Sequence, residues 1–292
     1  MTRTDRLLSR LRAGEVLLAD GATGTMLQSQ GLDDGRLPES WILEQPDRVV
    51  ALHQSYVAAG SSMVLTCTLG GTRFRLGHEG LEGRVADVNR RAAELARQAA
   101  GDDVFVAGDM GPTGQILAPY GPLTAAEAAD GYAEQAAALA EGGVDFLLVE
   151  TLSDLGEARA AVEGARRVTD LPILVTFSFD THGRTMMGVR PAQAAREMAP
   201  LVEGLGANCG REPSEYPGIL AAMAAEAPGA ILWAKPNAGL PRLDGDVVVY
   251  DASPAAMAEV AVLLRQAGAS VIGGCCGTTP AHIAAMARAL AN

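Results

Sequence analysis

Residues 144–150 read Val-Asp-Phe-Leu-Leu-Val-Glu, a short apolar run closed by a carboxylate. A longer stretch with helical patterning follows, Leu155–Val168, and then Ile173–Phe179 reads Ile-Leu-Val-Thr-Phe-Ser-Phe. Runs this continuously apolar fit parallel strands covered on both faces. The same alternation extends outward in both directions. Upstream lie strand candidates at Glu15–Asp20, Ser62–Thr68 and Val104–Asp109, and downstream at Leu205–Cys209, Ala230–Lys235 and Ser270–Gly274. The spacing predicts further helices over Asp47–Ala59, Leu81–Ala99, Ala125–Glu141, Ala192–Glu203, Pro213–Ala225, Pro254–Gln266 and Pro280–Ala291.

Several of these helices announce their ends. Thr124 with Glu127 forms a capping box, and Ser253 and Thr279 each precede a proline at the first helical position. Gly60, Gly142 and Gly268 fall where helices should stop. Strand and helix alternating in this way predict an α/β fold, a (β/α)8 TIM barrel, as a single domain over residues 1–292. An open doubly wound sheet is the alternative if one strand is misassigned. The Gly/Pro-rich stretches Gly108–Pro122 and Pro236–Gly245 read as long loops following strands.

Bulk properties agree. A chain of 292 residues with 48% hydrophobic content suits one such barrel. The net charge of −12 argues against nucleic acid and against an anionic membrane surface. Met1–Arg12 mixes charge with leucine and has no apolar core of a signal peptide. No apolar run reaches the roughly 18 residues of a membrane span. A cytoplasmic protein is expected, in which thiols stay reduced.

The cysteines are the sharpest signal. In a barrel the strand ends converge on one face, where active sites are built. Cys209 closes the sixth strand, and Gly-Gly-Cys-Cys-Gly-Thr-Thr-Pro at 273–280 follows the last. Turn formation explains glycine and asparagine at strand ends but not three cysteines. Cys209, Cys275 and Cys276 as three thiolates with one open position describe a zinc site able to take a substrate sulfur. The plain alternative is buried cysteine acting as a small apolar residue, and that reading is preferred for Cys67.

Together with other segments, these residues resemble the homocysteine S-methyltransferase family. The matching stretches are Asp-Gly-Ala-Thr-Gly-Thr-Met at 20–26, His-Gln-Ser-Tyr-Val-Ala-Ala-Gly at 53–60 and Gly-Asp-Met-Gly-Pro-Thr-Gly at 108–114. They continue with Glu-Thr-Leu-Ser-Asp at 150–154, Gly-Ala-Asn-Cys-Gly at 206–210, Lys-Pro-Asn-Ala-Gly-Leu-Pro at 235–241 and the double-cysteine segment. The likeness spans nearly the whole chain, in order. It implies a zinc ion on Cys209, Cys275 and Cys276, homocysteine as methyl acceptor, methionine as product, and Asp20 and Glu150 near the substrate amino group. Within the family the sequence is most similar to the homocysteine-binding module of methionine synthases. It departs at Thr66-Cys67-Thr68-Leu69-Gly70, where those modules usually read Thr-Asn-Thr-Phe-Gly, which bears on the shape of the pocket.

An amino-acid acceptor needs an anion for its ammonium, and Asp20 and Glu150 are the candidates. Asp20 also reads as a turn or helix cap. Gly21, within the Gly21–Thr25 turn, and Thr68 are candidates for the acceptor carboxylate, and Asn237 for the pocket or for a turn. No catalytic side chain beyond the zinc-activated substrate thiolate is expected. The four histidines show no ligand spacing, Trp41 and Trp233 read as packing, and Lys235 reads as a solvated or paired lysine rather than a Schiff base. The sequence runs out at Asn292 directly after the last helix, so folate- or cobalamin-binding domains are not expected within it. The methyl donor is then a small onium compound (S-methylmethionine, a betaine or S-adenosylmethionine) or arrives on a separate corrinoid protein. Two alternatives remain at this stage: another thiol or a selenol as acceptor, and a homocysteine-activating subunit for a methyl-carrier protein.

Overall fold

A computed structural model of the chain describes residues 1–33, 35–210, 212–245 and 247–291. Eight parallel strands form the central sheet: β1 (Leu17–Leu18), β2 (Met63–Leu65), β3 (Phe105–Met110), β4 (Phe146–Leu152), β5 (Ile173–Phe177), β6 (Gly204–Cys209), β7 (Ile231–Pro236) and β10 (Val271–Ile272). Two further strands, β8 (Arg242–Asp244) and β9 (Val247–Val249), pair antiparallel outside it. The central order is β1-β10-β7-β6-β5-β4-β3-β2. The circle closes between β1 and β2 without a ladder, through Ser62 N–H donating to Leu18 O at 2.7 Å. The architecture is thus the TIM-type barrel expected from the strand–helix alternation.

Two apolar layers follow from the strand period of two. Leu17, Met63, Phe105, Phe146, Leu174, Trp233 and Val271 point inward and fill the lumen. Their alternates, such as Val64, Val106, Leu147, Val149, Val175 and Ile272, face the ring of helices. The helix Arg3–Arg12, which the sequence reading did not expect, inserts Leu7 and Leu11 into the lumen layer. Their spacing of four places both on one face. Thr2 and Asp5 cap this helix reciprocally.

The other helices match their sequence signals with local corrections. Ala125–Glu141 and Pro254–Gln266 have the expected bounds. The helix expected over Ala192–Glu203 spans Pro191–Met198, because Pro200 cannot continue it. Pro213–Glu215 is a 3-10 turn before the helix Tyr216–Glu226. Part of the expected loop Pro236–Gly245 is instead the first strand of the β8–β9 hairpin. Among the described residues, no helix is long and apolar enough to cross a membrane.

Candidate active site and metal centre

The inward-facing residues just beyond the lumen layer build the site. β3 pairs with β4 in the register Ala107↔Phe146 and Asp109↔Leu148. Ala107 and Leu148 face the lumen, so Asp109 and Glu150 are the next inward positions on adjacent strands. The same count puts Asn208 at the top of β6, Lys235 on β7 two residues beyond Trp233, and Cys275 beyond β10. All of these are buried or partly buried.

The three cysteines meet as expected. Cys209 Sγ lies 2.9 Å from Cys275 Sγ and 3.9 Å from Cys276 Sγ, and all three sulfurs fall within 4.8 Å of one another. Strand alternation alone would send Cys209 to the opposite face from Asn208. Its φ of 55° turns it back toward the cluster. Thr151, across the site, has φ 64°, which is unusual for a β-branched residue. Asn208 holds both strained segments together. Its Oδ1 accepts from Thr151 N–H at 2.8 Å and from Thr176 Oγ1 at 2.6 Å, and its Nδ2 donates to Thr151 Oγ1 at 2.6 Å. Tyr216 Oη donates to the carbonyl of Cys209 at 2.9 Å. Gly277, at φ 78°, lets the chain turn after the cysteine pair, where a Cβ would stand 2.3 Å from the Tyr250 ring.

Three thiols this close cannot all ionise without a cation between them. Hydrogen bonds from Cys209 and Cys275 draw Cys276 down to about 3. Cys209 is held well above the ordinary thiol range, first by its hydrogen bonds to Cys275 and Cys276 and then by burial. Tetrahedral zinc–thiolate sites, with Zn–S near 2.3 Å, place their sulfurs about 3.8 Å apart. The Cys209–Cys276 pair already has that spacing, and the Cys209–Cys275 pair needs to open by somewhat under 1 Å. The donor set and its spacing fit a soft metal ion.

A cavity of about 450 Å³ opens beside the sulfurs. Cys209, Cys275, Cys276, Gly21, Thr68 and Glu150 line it, so the barrel brings six of the eight candidate residues to one space. Thr68 Oγ1 donates to the carbonyl of Asp109 at 2.7 Å. Glu150 Oε2 is buried with no hydrogen-bond partner among the described residues. Burial pushes its carboxyl up to about 8 against the pull of Lys235, with Cys275 and Asp20 adding to the rise.

Asp20 and Asn237 stand behind this surface. The Asp20 carboxylate accepts from Leu65 N–H at 2.8 Å and pairs with Lys235 Nζ at 2.9 Å. Asn237 Nδ2 donates to the carbonyl of Gly210 at 3.1 Å, bracing the turn after Cys209. Cys67 also borders the cavity, packed with the larger apolar cluster and outside the trio of sulfurs. Burial pushes its thiol well above the usual range.

Sequence reading puts Asp109 and Lys235 at strand ends but gives neither a role in the site, and both line the cavity. A carboxylate ending an apolar strand was the available signal for Asp109, as it was for Glu150. For Lys235 the pairing with Asp20 depends on a contact across 215 positions, which no local pattern carries.

Comparison with known proteins agrees with this geometry. A family model described as homocysteine S-methyltransferase matches residues 17–290. The methionine synthase of Mycobacterium tuberculosis is 36% identical over 95% of the chain, and that of Mycobacterium leprae 35% identical over 96%. The chain spans about a quarter of the length of these two relatives. Among solved structures, the Escherichia coli homocysteine methyltransferase MmuM in its oxidised form is 26% identical, with a TM-score of 0.77 over 93% of this chain and 94% of that one. Its metallated form, at 24% identity, superposes with a TM-score of 0.78 over 94% of this chain and 96% of that one. The chain, with its three clustered cysteines at the mouth of a parallel barrel, belongs to the homocysteine S-methyltransferase family.

Proposed function

We propose that this protein transfers a methyl group to the thiol of homocysteine, forming methionine, with zinc held by Cys209, Cys275 and Cys276. The observation that carries the reading is the convergence of three sulfurs from two distant segments on a cavity sized for an amino acid and a donor. A free thiol is only a few per cent thiolate at pH 7. Bound zinc would supply Lewis acidity that keeps the acceptor sulfur deprotonated at neutral pH, worth roughly 30-fold or about 2 kcal/mol.

The chain's own residues do the rest. Asn208 fixes the segments carrying Cys209 and Thr151, so the cysteine cluster is preorganised. Glu150 receives the acceptor's ammonium from the cavity wall. Gly21 takes its carboxylate on the side toward β1, while Thr68, whose hydroxyl proton goes to the carbonyl of Asp109, shapes the cavity wall toward β2. Asp20 acts from behind by fixing Lys235, and Asn237 by fixing Gly210. Positioning of sulfur and methyl carbon in line then provides most of the acceleration. The sulfur forms its bond to carbon as the donor's heteroatom leaves with the electron pair of the old bond.

The test is a donor screen on zinc-loaded protein with homocysteine, reading methionine by mass. Zinc-dependent methionine formation from an onium donor or a methylated corrinoid protein is expected. Absence of methionine with every donor overturns the reading. The relatives' greater length favours one second reading, an acceptor-activating unit served by a separate methyl carrier. Turnover only with the corrinoid protein would select it.

A further inference from the structure

Asp109 is 5% exposed and lines the cavity, and its Oδ1 finds no hydrogen-bond partner among the described residues. Glu150, the next inward position on the neighbouring strand, is in the same condition. Two adjacent buried carboxylates without partners are expensive to retain, since each loses water and each opposes the charge of the other. Asp20 differs, because Leu65 N–H and Lys235 satisfy it. Lys235 attracts both acids, but its hydrogen bond goes to Asp20, so the pair keeps oxygen atoms free for a second cation from solution.

We propose that Asp109 and Glu150 together clamp the ammonium of the amino-acid acceptor, making Asp109 a second anchor of substrate recognition. This rests on the homocysteine reading given above. The level of the two acids in the barrel favours the acceptor over a cationic donor. Asp109, Glu150 and Lys235 are the first inward positions above the lumen layer on their strands, and Cys275 stands one inward position above Gly273, which is level with Lys235. An acceptor whose sulfur lies at the cysteines has its amino group only a few bonds away, within reach of the acids that line the same cavity one level below. A donor reaches the sulfur from the side opposite the cysteines. An ammonium has three N–H donors, enough to serve both carboxylates at once.

The experiment compares calorimetric binding of homocysteine and of 4-sulfanylbutanoate, the same thiol acid without its amine, to zinc-loaded wild type and Asp109→Asn. It adds the melting temperature of each protein without acceptor. The variant should lose between about tenfold and a hundredfold in homocysteine affinity and little for the amine-free thiol. Its melting temperature should rise, because a repulsive carboxylate is gone. A merely structural Asp109 would lower the melting temperature and leave the ratio of the two affinities unchanged, which overturns the proposal. So would intact acceptor binding in the variant with a raised KM for a cationic donor. Should Asp109→Asn fold poorly, Asp109→Ser is read in the same way. A wild-type protein that binds both thiols equally would instead overturn the homocysteine reading beneath it.

Discussion

At the scale of single residues, the site depends on side chains turned against the local pattern. Cys209 reaches the other sulfurs only through a left-handed backbone, and Thr151 pays a similar cost across from it. Glu150 is the residue whose charge the reading uses most directly. Glu150→Gln should raise the homocysteine concentration needed for half-saturation tenfold or more while zinc content by mass spectrometry stays at one per chain. His53 gives a separate prediction about pH. Both its ring nitrogens are buried without partners among the described residues, and burial lowers its pKa to about 4 against the attraction of Asp20. The folded state therefore holds His53 neutral where the unfolded chain takes up a proton. Stability from this source is full above pH 6.5 and is lost as pH falls toward 4, up to ~3 kcal/mol. His53→Leu should flatten urea-denaturation stability over that window; an unchanged slope would contradict the assignment. The cysteines were legible because their residue type admits little else at strand ends. Asp109 and Lys235 were not, because their roles depend on which neighbours share the lumen face.

At the scale of elements, the eight barrel strands could be read from the sequence because strands covered on both faces are apolar throughout. Their lengths could not. β1 and β10 keep only two paired residues each, since the chain leaves the ladder early to build the turns of the site. The helix Arg3–Arg12 was hidden for the opposite reason. Its arginines are exposed or half-buried, and only Leu7 and Leu11 reveal a buried face. Those two leucines close one end of the lumen, and Leu7 is wholly buried. Leu7→Ala should cost about 2–5 kcal/mol, measured as a lower urea midpoint with unchanged slope. A loss under about 0.5 kcal/mol would mean that the helix is not a plug but a surface attachment.

At the scale of the whole molecule, barrel closure and the active site share one device. β1 and β2 are joined by Ser62 N–H on Leu18 and by the Asp20 side chain on Leu65 N–H, and the same carboxylate holds Lys235 of β7. Removing one partner of so buried a pair leaves a lone charge. Lys235→Met should therefore cost about 3–5 kcal/mol, and Asp20→Asn with Lys235→Met should recover part of that loss in a double-mutant cycle of denaturation. Additive losses would show that the two groups do not interact. The central claim is that sulfurs separated by 66 positions bind one ion and leave room for a substrate thiol. X-ray absorption at the zinc edge tests it most directly. The expected result is one zinc per chain with three sulfurs near 2.3 Å and one lighter neighbour, changing to four sulfurs when homocysteine is added. A spectrum with fewer than three sulfurs, or one that homocysteine leaves unaltered, would contradict the account.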